Sequence, residues 1–408
     1  MFSIEGKIVN KDGAERGRIE IDQDTGLILN VGPDTGIADV VLQDEIIFPG
    51  FIDLHVHARE DASHTQEYKE DYTTASEAAI NGGVVAYLDM PNNIVPPIDD
   101  ESYEKKNVLT KKSPVEVLLY AGIGPATSPL QKSVPYKVFM GKSVGELFFT
   151  NNEDLEHRIE RYRGQSVSFH CEDPKILDSH AGEKSHEAKR PPEAEILAID
   201  LALSLIEKYQ LQGKICHAST VEGIQQVIEA KKRGVNVSVE VTPHHLFFDE
   251  SMLTEKNHTS FQVNPPIRQS RENRLFLIEA LKNGDIDYLA TDHAPHSREE
   301  KEKGISGLTH LDTYGPFITW LIKEHSFTPQ GIARICSTNP ARFMNQFIEN
   351  KYGKIEKDFV GSLTIIDMNK SVLISEGNLK TKSHWSPFLG ATFPGSVAMT
   401  IIKGKKYV

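Results

Sequence analysis

Hydrophobic positions along the chain fall into two textures. Residues 3–9, 17–21 and 26–31 are short runs that alternate between apolar and polar, separated by Asn10-Lys11-Asp12-Gly13 and Asp22-Gln23-Asp24-Thr25-Gly26. Period-two alternation between turn residues predicts strands. The same texture returns at 361–367 and 396–402. Two β-rich ends around a different middle predict one small β-sandwich domain assembled from residues 1–49 and 356–408. In the middle, apolar runs predict strands at 51–57, 84–90, 115–120, 134–140, 166–170, 214–217, 235–241 and 287–292. Helical stretches lie between most of them, at 72–80, 99–112, 151–163, 193–210, 220–233 and 270–283. Asn81-Gly82-Gly83 supplies a helix stop. Strands alternating with helices predict an α/β fold, a (β/α)8 TIM-like barrel over residues 50–355. The connection 121–133 is short and rich in Gly and Pro, so one barrel helix is expected to be degenerate. A doubly wound open sheet is the alternative, but it usually has fewer strands.

Candidate chemistry gathers at strand ends. In His55-Val56-His57 the two imidazoles share one face, with Cα atoms about 6.6 Å apart. They can close on one metal ion, or be a hydrogen-bonded pair of core histidines. Lys137, His170, His217 and Asp292 also fall at or near the ends of predicted strands, and that face of a barrel carries active sites. The histidines at 64, 157, 180, 186, 258, 310, 325 and 384 scatter and read mostly as surface or loop residues. Four His, one Lys and one Asp make a donor set for two metal ions, and imidazole suits zinc. Two cations side by side need a bridging anion, such as a hydroxide derived from water. Asp292 can bind a metal and also exchange the proton of that bridge. Lys137 reads alone as a snorkelling lysine. Beside two cations it would be pushed neutral, and a neutral amine can add carbon dioxide to become a bridging carbamate. Glu240 is expected to orient a ligand, with an extra metal position as the alternative, and Cys216 to pack. The two-glycine loop 141–146 is a candidate lid or an ordinary barrel loop.

Charge and cysteine usage narrow the class. The 408 residues carry a formal net charge of -13, which argues against nucleic-acid or anionic-membrane partners. The lysines near 301–303 alternate with glutamates and read as a solvated face. Cys171, Cys216 and Cys336 lie far apart, so a reducing, cytoplasmic compartment is expected rather than a disulfide framework. There is no signal-like apolar stretch, and no window of transmembrane length.

Several motifs together carry a resemblance. His55-Val56-His57-Ala58-Arg59-Glu60, Met90-Pro91-Asn92, Lys137-Val138-Phe139-Met140, Ile215-Cys216-His217, Thr242-Pro243-His244-His245-Leu246, Val263-Asn264-Pro265-Pro266-Ile267-Arg268 and Thr291-Asp292-His293-Ala294-Pro295-His296 resemble the dihydroorotases, cyclic amidohydrolases of the amidohydrolase superfamily. The likeness runs from about residue 44 to the end and includes His384-Trp385-Ser386-Pro387-Phe388. It implies two zinc ions. His55, His57 and Asp292 would hold one, His170 and His217 the other, with N-carboxylated Lys137 between them. It implies that Arg59, Asn92 and His296 hold a substrate carboxylate while Asn264 lines the same pocket. Arg59 lies two residues past His57, and its fork suits a carboxylate. The implied reaction interconverts N-carbamoyl-L-aspartate and L-dihydroorotate, in pyrimidine synthesis. An allantoinase or hydantoinase is the nearest rival. A metal-free structural partner of aspartate transcarbamoylase is another, although all six ligand positions are filled. Self-association into a homodimer and docking to a transcarbamoylase both stay open. The chain departs from the commoner pattern at Ala58, at Glu60-Asp61, at Cys171 and at Gly307-Leu308-Thr309-His310-Leu311-Asp312, all near the substrate loops.

Overall fold

The computed structural model describes residues 1–141, 147–254, 257–268 and 270–407. Apart from Gly141, the candidate lid lies outside the described residues. Both ends of the chain enter one seven-stranded mixed sheet. Its strands are β1 (Phe2–Asn10), β2 (Gly13–Ile21), β3 (Ile28–Gly32) and β4 (Val40–Pro49) from the start of the chain. From the other end come β14 (Leu363–Asp367), β17 (Ser396–Ile402) and β18 (Lys405–Tyr407), in the order β18-β17-β14-β4-β1-β2-β3. The sheet has its own small core of Ile4, Ile8, Ile19, Ile21, Ile47, Leu363, Ile365 and Ile401. Ile47 pairs with Ile365, and the Phe51 N–H donates to Thr364 Oγ1 at 3.0 Å.

Strand β4 is not among the strands that the hydrophobic pattern predicts. The polar run Gln43-Asp44-Glu45 hides its first half. The apolar run splits at Gly50: Ile46–Phe48 serve the terminal sheet, and β5 (Phe51–Val56) begins the barrel. Any Cβ at Gly50 would stand 2.2 Å from Val85 Cγ2, so only glycine lets the chain pass this joint.

The barrel strands are β5, β6 (Val84–Asp89), the broken strand β7 (Glu116–Leu119) with β8 (Ala121–Ile123), β9 (Tyr136–Phe139), β10 (Ser166–His170), β11 (Gln212–Ile215), β12 (Val237–Val241) and β13 (Tyr288–Leu289). All neighbours are parallel. Counting β7 with β8 as one strand gives the eight predicted positions. The ring closes where the His57 N–H donates to His293 O at 2.8 Å. The interior is near-continuous Val, Ile, Leu and Phe, as strands buried on both faces require.

The predicted helices appear as α1 (Tyr72–Asn81), α2 (Asp100–Thr110), α3 (Asn152–Ile159), α6 (Pro192–Tyr209), α7 (Val221–Lys232) and α9 (Arg271–Asn283). As expected, no helix occupies 121–133. Each start has a local cause. Asp71 and Thr74 form a capping box for α1, Thr220 caps α7, and Ser270 caps α9. Short helices missed by periodicity are α4 (Pro174–Ser179), α5 (His186–Lys189), α8 (Pro243–Phe247) and α10 (Arg298–Glu302). After the last barrel strand come α11 (Tyr314–His325), α12 (Pro329–Ala333) and α13 (Asn339–Met344), also unread in the sequence. A small hairpin, β15 (Val372–Leu373) with β16 (Thr392–Phe393), packs beyond the barrel. Among the described residues no helix is long and apolar enough to cross a membrane.

Candidate active site

The six strand-end residues meet at one end of the barrel. His55 lies within β5 and His57 just past it; their Nε2 atoms stand 3.2 and 3.1 Å from the same oxygen, Asp292 Oδ1. His170 ends β10, and its Nδ1 lies 2.9 Å from His217 Nε2. The His55 and His217 rings are 5.2 Å apart, so the two pairs adjoin. Arg59, His217 and Asp292 have φ of 66°, 33° and 49°. Such left-handed backbone in non-glycine residues costs about 1–3 kcal/mol each and gathers at functional sites.

Electrostatics prepare these rings for metal. Burial, with further push from cationic neighbours, holds His55, His57 and His217 well below the usual imidazole range. They are therefore neutral, the form that ligates. His170 Nδ1 and His217 Nε2 face each other nitrogen to nitrogen, an arrangement that a shared cation can occupy. Burial pushes Asp292 up to about 7, which suits a group that takes and gives a proton. Lys137 is fully buried, with Nζ 2.9 Å from Cys216 Sγ and 5.2 Å from the Phe139 ring. Among the described residues no carboxylate comes within 4.0 Å of it. A buried amine without a counterion, beside two ligand pairs, is the chemistry a carbamate bridge would resolve. The donor set thus fits metal binding, with ligand atoms of His55, His217 and Asp292 all within 4.8 Å of one another.

Carboxylates behind the ligands fix their orientation. Glu240 contacts His55 Nδ1 and Lys214 Nζ, and accepts from the His217 N–H at 3.2 Å. That leaves His55 Nε2 for the metal side. Sequence reading missed Glu172, which lies 2.9 Å from His170 Nε2 and is paired with Arg190. It also missed Glu195, which holds the loop after His217 through the Ser219 and Thr220 N–H groups at 2.8 and 3.0 Å. Asp89 was missed as well; it accepts from Ala58 N (2.8 Å), Tyr72 OH (2.7 Å) and Lys106 Nζ (2.8 Å), fixing the backbone between His57 and Arg59. A signal existed for Asp89, a buried acid ending an apolar strand.

Beside them lies a cavity of about 50 Å3 whose walls include His55, His57, His170, His217, Asp292, Arg59, Asn92 and Asn264. Arg59 is 3% exposed. Its Nε donates to Pro295 O and its Nη2 to His296 Nε2, both at 3.2 Å. Among the described residues no carboxylate lies within 4.0 Å of its guanidinium. Burial brings its pKa down to about 10. His296 stands behind Arg59, its Nδ1 3.3 Å from both Lys69 Nζ and Glu300 Oε2. Asn92 and Asn264 have buried side-chain oxygens without partners among the described residues, so each amide can turn its NH2 to a ligand. Two sequence expectations are corrected here. His310 lies in a loop, as one of the expected alternatives had it, but is buried rather than at the surface, its ring stacked on that of His244 with the nitrogens 3.0 Å apart. Lys301 is 2% exposed rather than part of a solvated face.

Comparison with known proteins agrees with this geometry. The model of the amidohydrolase family matches residues 46–407. The dihydroorotase of Methanosphaera stadtmanae is 34% identical over 98% of this chain and 94% of its own length. That of Thermococcus kodakarensis is 35% identical over 99% and 92%. The chain belongs to the amidohydrolase family, on its dihydroorotase branch. Family membership makes it a cyclic-amide hydrolase. In fold, the family likeness extends to the L-hydantoinase of Arthrobacter aurescens, with a TM-score of 0.90 at 22% identity over 100% of this chain and 96% of that one.

Proposed function

We propose that this amidohydrolase opens and closes the L-dihydroorotate ring, interconverting it with N-carbamoyl-L-aspartate in the cytoplasm for pyrimidine synthesis. The observation that carries the reading is Arg59, a buried guanidinium without a carboxylate partner among the described residues, in the wall of the cavity that also exposes four ligand histidines and Asp292. A substrate whose ring bears a carboxylate supplies that missing partner.

His55, His57 and Asp292 would hold one zinc ion and His170 and His217 the second, and Lys137, N-carboxylated by carbon dioxide with release of a proton, would supply a further anionic ligand. Bound zinc supplies Lewis acidity at the ring carbonyl and lowers the pKa of the attacking water. Arg59 and Asn92 grip the substrate carboxylate and turn the reacting carbonyl toward the histidines. Asn264 closes the opposite wall, and His296 holds the Arg59 fork in place. Asp292 takes the proton of the attacking water as the carbon–oxygen bond forms. It then delivers that proton to the ring nitrogen as the carbon–nitrogen bond breaks. In ring closure the same proton moves in reverse.

The test is ring opening of L-dihydroorotate followed by ultraviolet absorbance, with allantoin and a 5-substituted hydantoin in parallel. Turnover confined to dihydroorotate, abolished by a chelator and restored by zinc, is expected. Turnover of allantoin or hydantoin instead would overturn the assignment of Arg59.

A further inference from the structure

Lys301, in α10, is buried without a carboxylate within 4.0 Å among the described residues. Its ammonium instead donates to three main-chain carbonyls: Gln262 O at 3.2 Å, Ile305 O at 2.7 Å and Gly307 O at 2.7 Å. Burying an ammonium is expensive unless every donor is met, and three carbonyls match its three donors. The place of those carbonyls matters more than their number. Gln262 directly precedes Val263 and Asn264, which form one wall of the cavity. Ile305 directly precedes Ser306, and Ser306 and Gly307 also line the cavity. The Gly307 N–H donates to Gln262 O at 3.0 Å, so the two segments already touch at the point Lys301 grips. Gly307 has φ of 141°, and a Cβ there would lie 2.5 Å from Ala294 O, so the segment passes close against the Asp292–His296 loop.

We propose that Lys301 is a positioning residue for substrate binding: its ammonium clips the 262–264 and 305–307 segments together and so sets the width of the cavity around the bound ring. The proposal rests on the dihydroorotase reading. Lys301 touches no reacting atom, because Asp292 and the ligand histidines hold those positions. Losing the clip releases both segments at once while leaving the ligand set intact. Its effect therefore falls on substrate capture rather than on the chemical step.

The experiment is Lys301→Met in the zinc-loaded full chain, with metal content, kcat and KM for L-dihydroorotate measured beside the wild type. The expected result is two zinc ions retained, KM raised roughly tenfold or more and kcat within about threefold. Lys301→Arg, which keeps a charged multiple donor, should recover part of the loss in KM. An unchanged KM in Lys301→Met, or a fall in kcat with KM unmoved, overturns the proposal. Should Lys301→Met not accumulate as folded protein, Lys301→Gln carries the test, since its amide offers two donors to three carbonyls. An unchanged KM there overturns it equally. A wild type that binds zinc yet leaves dihydroorotate intact would instead overturn the reading beneath.

Discussion

Replacing Arg59 with Met should separate function from stability, with opposite signs. The substitution keeps an apolar stem and removes the guanidinium. In the proposed complex that group makes two charge-assisted hydrogen bonds to the substrate carboxylate, worth about 1.5–3 kcal/mol each. Their loss should lower kcat/KM for dihydroorotate by about 10²- to 10⁴-fold, chiefly through KM. The substrate-free protein gives the other sign. Burial brings Arg59 from an ordinary 12.5 to about 10, which corresponds to about 3 kcal/mol of unfavourable charge burial. Its bonds to Pro295 O and His296 return about 1 kcal/mol each. Folded pKa lies below unfolded pKa for this base, so the penalty is fully present at pH 7 and vanishes only above both values. The zinc-loaded, substrate-free variant should therefore be as stable as the wild type or about 1 kcal/mol more so. Steady-state ring opening and urea denaturation read the two effects. An unchanged KM, or a stability loss above about 2 kcal/mol, would refute the reasoning, since Arg59 would then be a structural strut.

Asp89→Ala should destabilise by about 3–5 kcal/mol in urea denaturation, because it strands the buried Lys106 ammonium and the Ala58 N–H; a loss below about 1 kcal/mol would count against that pairing. Glu5 tests the terminal sheet by pH. Burial acts to raise it, but bonds from Thr35 and Gly36, at 3.0 and 2.6 Å from the Thr35 N–H and hydroxyl and at 2.5 Å from the Gly36 N–H, outweigh that and bring it down to about 2. Its folded pKa is depressed, so its stabilisation is present above about 4.5 and lost as pH falls through about 2. Glu5→Gln should flatten the fall of Tm across that window, and an unchanged slope would refute the assignment.

The candidate site was legible because a barrel converts sequence position into spatial position. His170 ends its strand, His55 lies one residue before the end of its own, and His217 and Asp292 follow theirs; parallel strands deliver those ends to one face. What supports them was not legible. Glu172, Glu195 and Asp89 act through partners such as Arg190, Arg268 and Lys106, chosen by packing rather than by spacing. Lys301 misled for a related reason. Among Arg298, Glu299, Glu300, Glu302 and Lys303 its charge looks solvated, yet α10 is one short turn of helix whose inner side faces three carbonyls. Strand β4 was hidden by Asp44 and Glu45, which break the alternation, and its apolar half runs into β5 with only Gly50 to mark the change of sheet. The helices from 314 to 344 were left unread beyond the last strand, although α11 buries Phe317, Ile318 and Leu321 at helical spacing.

The joint at Gly50 has a consequence for how the chain is made. β4 can recruit β1 as soon as both have left the ribosome, but its other edge waits for β14. The Phe51 N–H meets Thr364 Oγ1, 313 residues further on. At about 5–20 residues per second that is a wait of about 15 to 60 s, during which one edge of β4 stays bare. Throughout that interval the first barrel strand, which carries His55, is attached to a half-built sheet. Completion of the terminal sheet therefore waits until the whole barrel between its two halves has been synthesised.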